Sequence, residues 1–319
     1  MAKEDWCPRQ SWFRLKGEPV SDPQKKHGYQ LENIFDEGHY VHEKWQNRLW
    51  DMGLLEGLFT CLYCEHVWWD TAPDECAQCL SPKKLLKYRE VPVDGYKRYL
   101  IYGHEDGKVA RRLVEIKTIG QGTLRLDAPE LLKANMVEGP KGNKIYDLDG
   151  IWKDLKRPLP PHLRQTGIYA QILNEQEDEK YHVDEIVFIY EYKANQDVKE
   201  FTVKVNPRHA AALLDSARDI KYALDTNTEI PRPGDRTEES KGCKTCEYFT
   251  RCWNPTSSQA PEGRRVDVEP RQRRRKLPEG PRGGADRDAG ATGGVDPTPA
   301  RRPDRPRRRR PDVAVPSAD

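Results

Sequence analysis

Long apolar runs are missing from this sequence. Its mean hydropathy is −0.93. The longest useful apolar stretch, residues 186–190, falls far short of the ~18 residues a membrane helix needs. A membrane-spanning protein is therefore not expected. The opening residues, MAKEDWCPRQ, lack the apolar core of a secretory signal. Export is not expected either, and a cytoplasmic location is. No HExxH is present, which disfavours a zinc protease of that type, and no G-x-x-x-x-G-K-[ST] loop is present to cradle a nucleotide. No internal repeat is visible. Residues 255–319 contain no cysteine and almost no aromatic or branched apolar residues. Such a segment cannot bury enough surface to offset the entropy of ordering, so it reads as a disordered tail.

The formal charge of +2 conceals an asymmetry. The tail holds 16 basic and 10 acidic residues, net +6, while residues 1–254 hold 38 and 42, net −4. Arginine clusters at residues 273–276 and 307–310 suit non-specific attraction to nucleic acid, or simply solvation.

All eight cysteines lie in the body, in two groups of four. Disulfides are disfavoured in a cytoplasmic protein. Cys61-Leu-Tyr-Cys64 and Cys76-Ala-Gln-Cys79 are two CxxC knuckles separated by eleven residues. That spacing can place four thiolates tetrahedrally around structural Zn²⁺, so residues 57–84 read as a zinc ribbon inserted in the body. The ribbon either staples a small subdomain or touches nucleic acid. The second group is Cys7 with Cys243, Cys246 and Cys252. Four thiolates can hold zinc or an iron–sulfur cluster, and spacing does not choose between them. A buried Cys7 unconnected with the trio is the plainer reading.

Periodicity predicts helices over residues 31–54, 128–135, 163–174 and 207–224, the last with Asn206 as its N-cap. It predicts extended segments at 91–93, 99–102, 113–118, 184–192 and 201–205. A polar turn at residues 105–108 joins two of these strands, and residues 139–150 read as loop. The pattern suits an α/β fold with a mixed sheet flanked by helices.

Within the predicted strand Val114-Glu115-Ile116-Lys117, Glu115 and Lys117 share a face and Ile116 enters the core. A carboxylate and an ammonium at a strand end suit metal-assisted phosphodiester hydrolysis. A second Glu-x-Lys occurs at Glu191 and Lys193, and either copy alone is ordinarily a solvated ion pair. Context favours the first. Asp106 lies nine residues before Glu115, with Asp94 as the alternative second carboxylate. His42 lies on the first long helix, with His39 as a competitor. Gln165 and Tyr169, at i and i+4, share a helical face.

The order His, Asp, Glu-x-Lys, Gln-x-x-x-Tyr resembles the RecB-like branch of the PD-(D/E)XK nuclease superfamily. With Cys7-Pro-Arg and the later cysteine trio, the chain is similar to CRISPR-associated iron–sulfur exonucleases, bacteriophage versions above all. The resemblance runs from Cys7 to Cys252. It implies a restriction-endonuclease-like core over residues 1–254 and cleavage of DNA, often single-stranded and from free ends. It implies Mg²⁺ or Mn²⁺ held by His42, Asp106, Glu115 and the Ile116 carbonyl, with Lys117 as the catalytic lysine and Gln165 and Tyr169 supporting it. It also implies a 4Fe–4S cluster on Cys7, Cys243, Cys246 and Cys252. Unwinding would fall to a helicase or recombination partner. The ribbon and the arginine-rich tail are departures from the family, and a nucleic-acid-binding adaptor built on them, with little catalysis, is the alternative reading.

Overall fold

A computed structural model describes residues 6–23, 28–140 and 142–254. The expected disorder of residues 255–319, with both arginine clusters, lies outside this range. Among the described residues no helix is long and apolar enough to cross a membrane.

The chain opens with α1 (Pro8–Lys16) and the long α2 (Tyr29–Asp51), followed by β1 (Glu56–Cys61), β2 (Val67–Thr71), β3 (Leu86–Arg89) and β4 (Val91–Gly95). Next come α3 (Tyr96–Tyr99), β5 (Ile101–Glu105), β6 (Gly107–Val109), β7 (Arg112–Ile119), α4 (Gln121–Asp127) and α5 (Pro129–Ala134). A small hairpin, β8 (Met136–Glu138) and β9 (Lys144–Tyr146), leads to α6 (Leu148–Asp154) and α7 (Pro160–Asn174). The body closes with β10 (Glu185–Tyr192), β11 (Val198–Lys204), α8 (Ala211–Asp225), α9 (Lys241–Lys244) and α10 (Phe249–Trp253).

The main sheet has seven strands in the order β11-β10-β7-β6-β1-β2, with β3 also paired to β1. Only β7 and β10 run parallel, so the sheet is mixed and the fold is α/β. The central strand β7 is buried on both faces. One face carries Leu113 and Ile119 into a core with Ile168 and Ile172 of α7 and Leu214 of α8. The other carries Val114 and Ile116 into a second core with Leu49 and Trp50 of α2 and Phe59 of β1. A third cluster joins Trp12 and Phe13 of α1 to Ile220 of α8 and Tyr248 near the C-terminal cysteines.

The ribbon is continuous with this architecture. Its first strand joins the main sheet through the Glu56↔Lys108 pair, and its buried Cys61 and Cys76 belong to the α2-side core.

Several local expectations change. Residues 105–108 are not a polar turn: the reversal falls at Ala110, which has φ of 51°, and Glu105, Asp106 and Lys108 are buried. Tyr99 ends α3 instead of opening a strand, because the Asp94 carboxylate accepts from Tyr96 N at 3.0 Å and starts a turn of helix there. Residues 139–150 contain β9 and the start of α6, which the Asp147 carboxylate caps by accepting from Gly150 N at 2.9 Å. α7 starts earlier than expected, since Pro160 and Pro161 occupy first-turn positions that need no N–H partner. The helix expected from 207 opens as a 3₁₀ turn over Pro207–His209, with Asn206 accepting from Arg208 N, and becomes α-helical only at Ala211.

Candidate functional site

The site forms where the sheet ladder breaks. β6 pairs with β7 only as far as Gly107↔Val114. Beyond that point, among the described residues, the β7 edge has no strand on this side, and its amides need another partner. The Asp106 carboxylate supplies one: Oδ2 accepts from Ile116 N at 2.8 Å. The other oxygen faces α2, with His42 Nδ1 at 3.1 Å from Oδ1. Asp106 thus ties the helix bearing His42 to the strand bearing Glu115 and Lys117.

Glu115 is 1 % exposed, and Lys117 is ion-paired with it. The Lys117 ammonium lies against Glu115 Oε1 and is its charged partner. Burial pushes the Glu115 carboxyl up to about 7, against the pull of Lys117. Burial also opposes the charge on Lys117, but Glu115 and Asp106 outweigh it and hold the amine up to about 12. For Asp106, burial is overcome by the His42 hydrogen bond, Lys117 and the Ile116 amide, leaving its carboxyl below the usual range. His42 is correspondingly raised: desolvation works against it, and the Asp106 bond wins.

The structure adds residues that sequence reasoning missed. Donor atoms of His42, Glu90 and Asp106 all lie within 4.8 Å of one another. Gln46 donates to Glu90 Oε1 at 3.2 Å and to the Asp106 carbonyl at 2.8 Å, bridging the two. Gln46 stands four residues after His42, so the i, i+4 spacing was the available signal. Glu90 carried none, being placed by the end of β3. Glu105 is fully buried with no hydrogen bond to either carboxylate oxygen among the described residues, and burial pushes its carboxyl well above the ordinary range.

Gln165 and Tyr169 share a face of α7 and hydrogen-bond one another, and Tyr169 feels the charges of Glu115, Lys117 and Asp106. The Tyr169 hydroxyl lies so close to Gly103 of β5 that a Cβ there would meet it at 2.4 Å. Behind Lys117, its parallel neighbour Tyr190 contacts the buried His162, with His162 Nδ1 and the Tyr190 hydroxyl 2.5 Å apart.

The competing residues lie elsewhere. The Asp94 carboxylate is taken up by the Tyr96 amide where α3 begins. His39 is exposed on α2. Glu191 is buried against α2, accepting from Trp45 Nε1 at 2.8 Å and paired with Lys44, and Lys193 pairs with Glu37. The second Glu-x-Lys is a helix–strand contact.

Cys61, Cys64, Cys76 and Cys79 bring their sulfurs within 4.8 Å of one another, with Cys61–Cys79 and Cys64–Cys76 both at 3.6 Å. A tetrahedral ion with ~2.3 Å metal–sulfur bonds spaces its sulfurs about 3.8 Å apart. Each knuckle closes through a backbone bond, Glu65 N to Cys61 O at 2.9 Å and Leu80 N to Cys76 O at 3.0 Å, with Glu65 and Leu80 at positive φ. Hydrogen bonds from Ser81 hold the Cys79 thiol down to about 6. This group can hold a metal such as zinc.

Cys7, Cys243, Cys246 and Cys252 line one small cavity, walled on its other sides in part by Arg9, Arg232 and Arg236. α1 brings Cys7 there by packing on α8. Independent ties hold the two ends together: Glu247 accepts from Ser21 N and Asp22 N, and the Asp22 carboxylate accepts from Thr250 N at 2.8 Å. Among the described residues, the groups gathered within 4.8 Å are the ribbon thiols and the His42 trio.

No family model matches the sequence, and no curated protein does. Among solved structures, that of SSO0001 is similar over 77% of this chain and 81% of its own, at 13% identity and a TM-score of 0.29. That TM-score is too low to bear on fold or function.

Proposed function

We propose that the chain is a metal-dependent deoxyribonuclease with a restriction-endonuclease-like, RecB-type core, acting on DNA with single-stranded ends. One observation carries the reading. Asp106 joins the His42 helix to the Glu115–Lys117 strand, so that two carboxylates, an imidazole and a lysine meet at one ladder break.

The donor set fits a hard divalent cation. Carboxylates and a single imidazole suit Mg²⁺ or Mn²⁺, and Glu115 brings a buried carboxyl whose ion-pair partner is Lys117. His42, Asp106, Glu115 and the Ile116 carbonyl would hold the ion, with Glu90 as a further carboxylate. A bound ion there supplies charge for the scissile phosphate and lowers the pKa of water. The rest is done by the chain's own side chains. Lys117 Nζ, protonated beside Glu115, balances negative charge developing on the phosphate and orients the attacking water. Tyr169 and Gln165, on one face of α7, border the site beside Lys117 and Glu115. His162 and Tyr190 pack behind Lys117 and limit its freedom.

The two cysteine groups fit different cofactors. The ribbon spacing matches a single Zn²⁺. The Cys7 cavity, with three arginines around it, suits a 4Fe–4S cluster, whose four thiolates leave net negative charge to be offset.

The reading is tested with single-stranded DNA in Mn²⁺ or Mg²⁺. Wild type should degrade it and stop when the ion is chelated. Glu115→Gln, nearly isosteric, should keep the melting temperature within a few degrees and lose cleavage by about a hundredfold or more, the scale on which displaced catalytic groups act. DNA binding with no metal-dependent cleavage in wild type would instead support the adaptor reading.

A further inference from the structure

Beside the site runs a groove of about 750 Å³ between the ribbon, α2 and β5. β3 alternates strictly: Leu86 and Tyr88 are buried, Lys87 and Arg89 are exposed. Pairing with β1 puts Thr60 beside Lys87 and Leu58 beside Arg89, so the two cations stand on the outer face of the ribbon. Across the groove, β5 presents Tyr102 and His104 on its outer face by the same alternation. Tyr102 is 59% exposed, and its ring meets His104 edge-on at 5.2 Å. The inner end of the groove is Gln46 and Glu90, the two residues already joined to Asp106.

We infer that this groove is the track for a single DNA strand, with the ribbon forming one wall of the substrate site. The inference rests on the nuclease reading for the identity of the strand, and on its own residues for the path. Exposed cations on one side and an exposed aromatic ring on the other are what unpaired nucleic acid needs. Lys87 and Arg89 meet phosphates, and Tyr102 offers a flat face to a base, which in a duplex is already stacked on its neighbours. Gln46 and Glu90 then lead the strand to Asp106. A metal held by the four ribbon thiols would fix the end of β1, and through its pairing β3, and with them the spacing of the two cations from Tyr102. Tyr102 also borders a second groove shared with Arg14, Gln165 and Tyr169, so a strand passing the site continues towards α1.

The test is binding of fluorescent oligothymidylate by the full chain carrying Lys117→Ala, so that the strand survives. Against that parent, Lys87→Glu with Arg89→Glu should weaken binding about tenfold or more and flatten the salt dependence of log K by about 1.4, the share of two phosphate contacts on a single strand. Tyr102→Ala should weaken it about fivefold to a hundredfold, the range of one lost base–aromatic stack, and Tyr102→Phe should restore it. Lys133→Glu, on the remote exposed surface of α5, should change neither. If charge reversal disturbs zinc content or melting, the Lys87→Gln and Arg89→Gln pair replaces it. Groove variants that bind like the parent, or a parent that does not bind oligothymidylate, overturn the inference; the former result means the groove serves something other than a DNA strand. If wild type cleaves no DNA while the groove variants still lose binding, the nuclease reading fails and the track stands.

Discussion

Gly103→Ala is the sharpest small perturbation of the site. An added Cβ would lie 2.4 Å from the Tyr169 hydroxyl, 2.8 Å from Cζ and 3.1 Å from Cε1. All three distances lie inside van der Waals contact, so the ring has to move. Tyr169 is rooted on α7, whose neighbouring Ile168 and Ala170 are in the core, so the motion falls on the ring more than on the helix. Overpacking of this kind costs about 1–3 kcal/mol. In a body of this size that lowers the melting temperature by roughly 2–4 °C per kcal/mol. Displacing the ring by about an ångström should lower cleavage by up to about a hundredfold, because Tyr169 shares the field of Glu115 and Lys117. Adding Tyr169→Phe removes the closest atom and leaves 2.8 Å as the nearest contact, so the double variant should melt higher than Gly103→Ala alone. Thermal melts and initial cleavage rates of the four proteins check this. A Gly103→Ala protein with wild-type melting and wild-type rate would refute the placement of Tyr169 and the role given to it.

Other consequences follow from the same geometry. Burial, with Lys117 nearby, depresses His162 to about 3, against ~6.5 in the unfolded chain, so the unfolded state takes up the proton first as pH falls. That contribution is complete above pH ~6.5 and is lost as pH drops towards 3, reaching about 2 kcal/mol by pH ~5. Denaturant melts of His162→Gln against wild type should show a smaller loss in the variant; Glu115, raised to about 7, acts in the opposite sense in the metal-free protein but is common to both. Cys76→Ser should lose the bound zinc, read by elemental analysis, and melt lower, because the buried Cys76 shares a core with Phe59, Val114 and Ile116. Cys7→Ser should lose iron, sulfide and the brown colour in anaerobically purified protein. It should keep a folded body, since Trp12, Phe13 and Tyr248 hold α1 in place independently.

What the sequence disclosed was mostly local. The alternation of Glu115 and Lys117 around Ile116 survives in β7, the CxxC knuckles fold as a thiol cluster, and α2 and α7 bear His42, Gln165 and Tyr169 where periodicity put them. What escaped was set by long-range pairing. Asp106 looked like a turn residue because Glu105-Asp106-Gly107-Lys108 is polar. In the fold this tetrapeptide is buried, Lys108 pairing with Glu56 at 3.0 Å and Asp106 replacing a missing strand. Nothing near residue 106 in the chain announces that β6 begins only at Gly107. Glu90 was invisible for the same reason: it enters the site because β3 pairs with β1. The division of the two Glu-x-Lys copies also depended on packing, since Glu191 is taken by Lys44 and Trp45 from α2.

The proposed nuclease requires Lys117 and its neighbours to form one hydrolytic centre. The most direct measurement is cleavage of DNA labelled separately at each end, single- and double-stranded, with Mn²⁺ or Mg²⁺, by wild type and by Lys117→Ala. Wild type should shorten single strands in a metal-dependent way, with the two labels reporting polarity, and Lys117→Ala should leave the strands intact but still bound. Cleavage by Lys117→Ala at the wild-type rate would contradict the proposal.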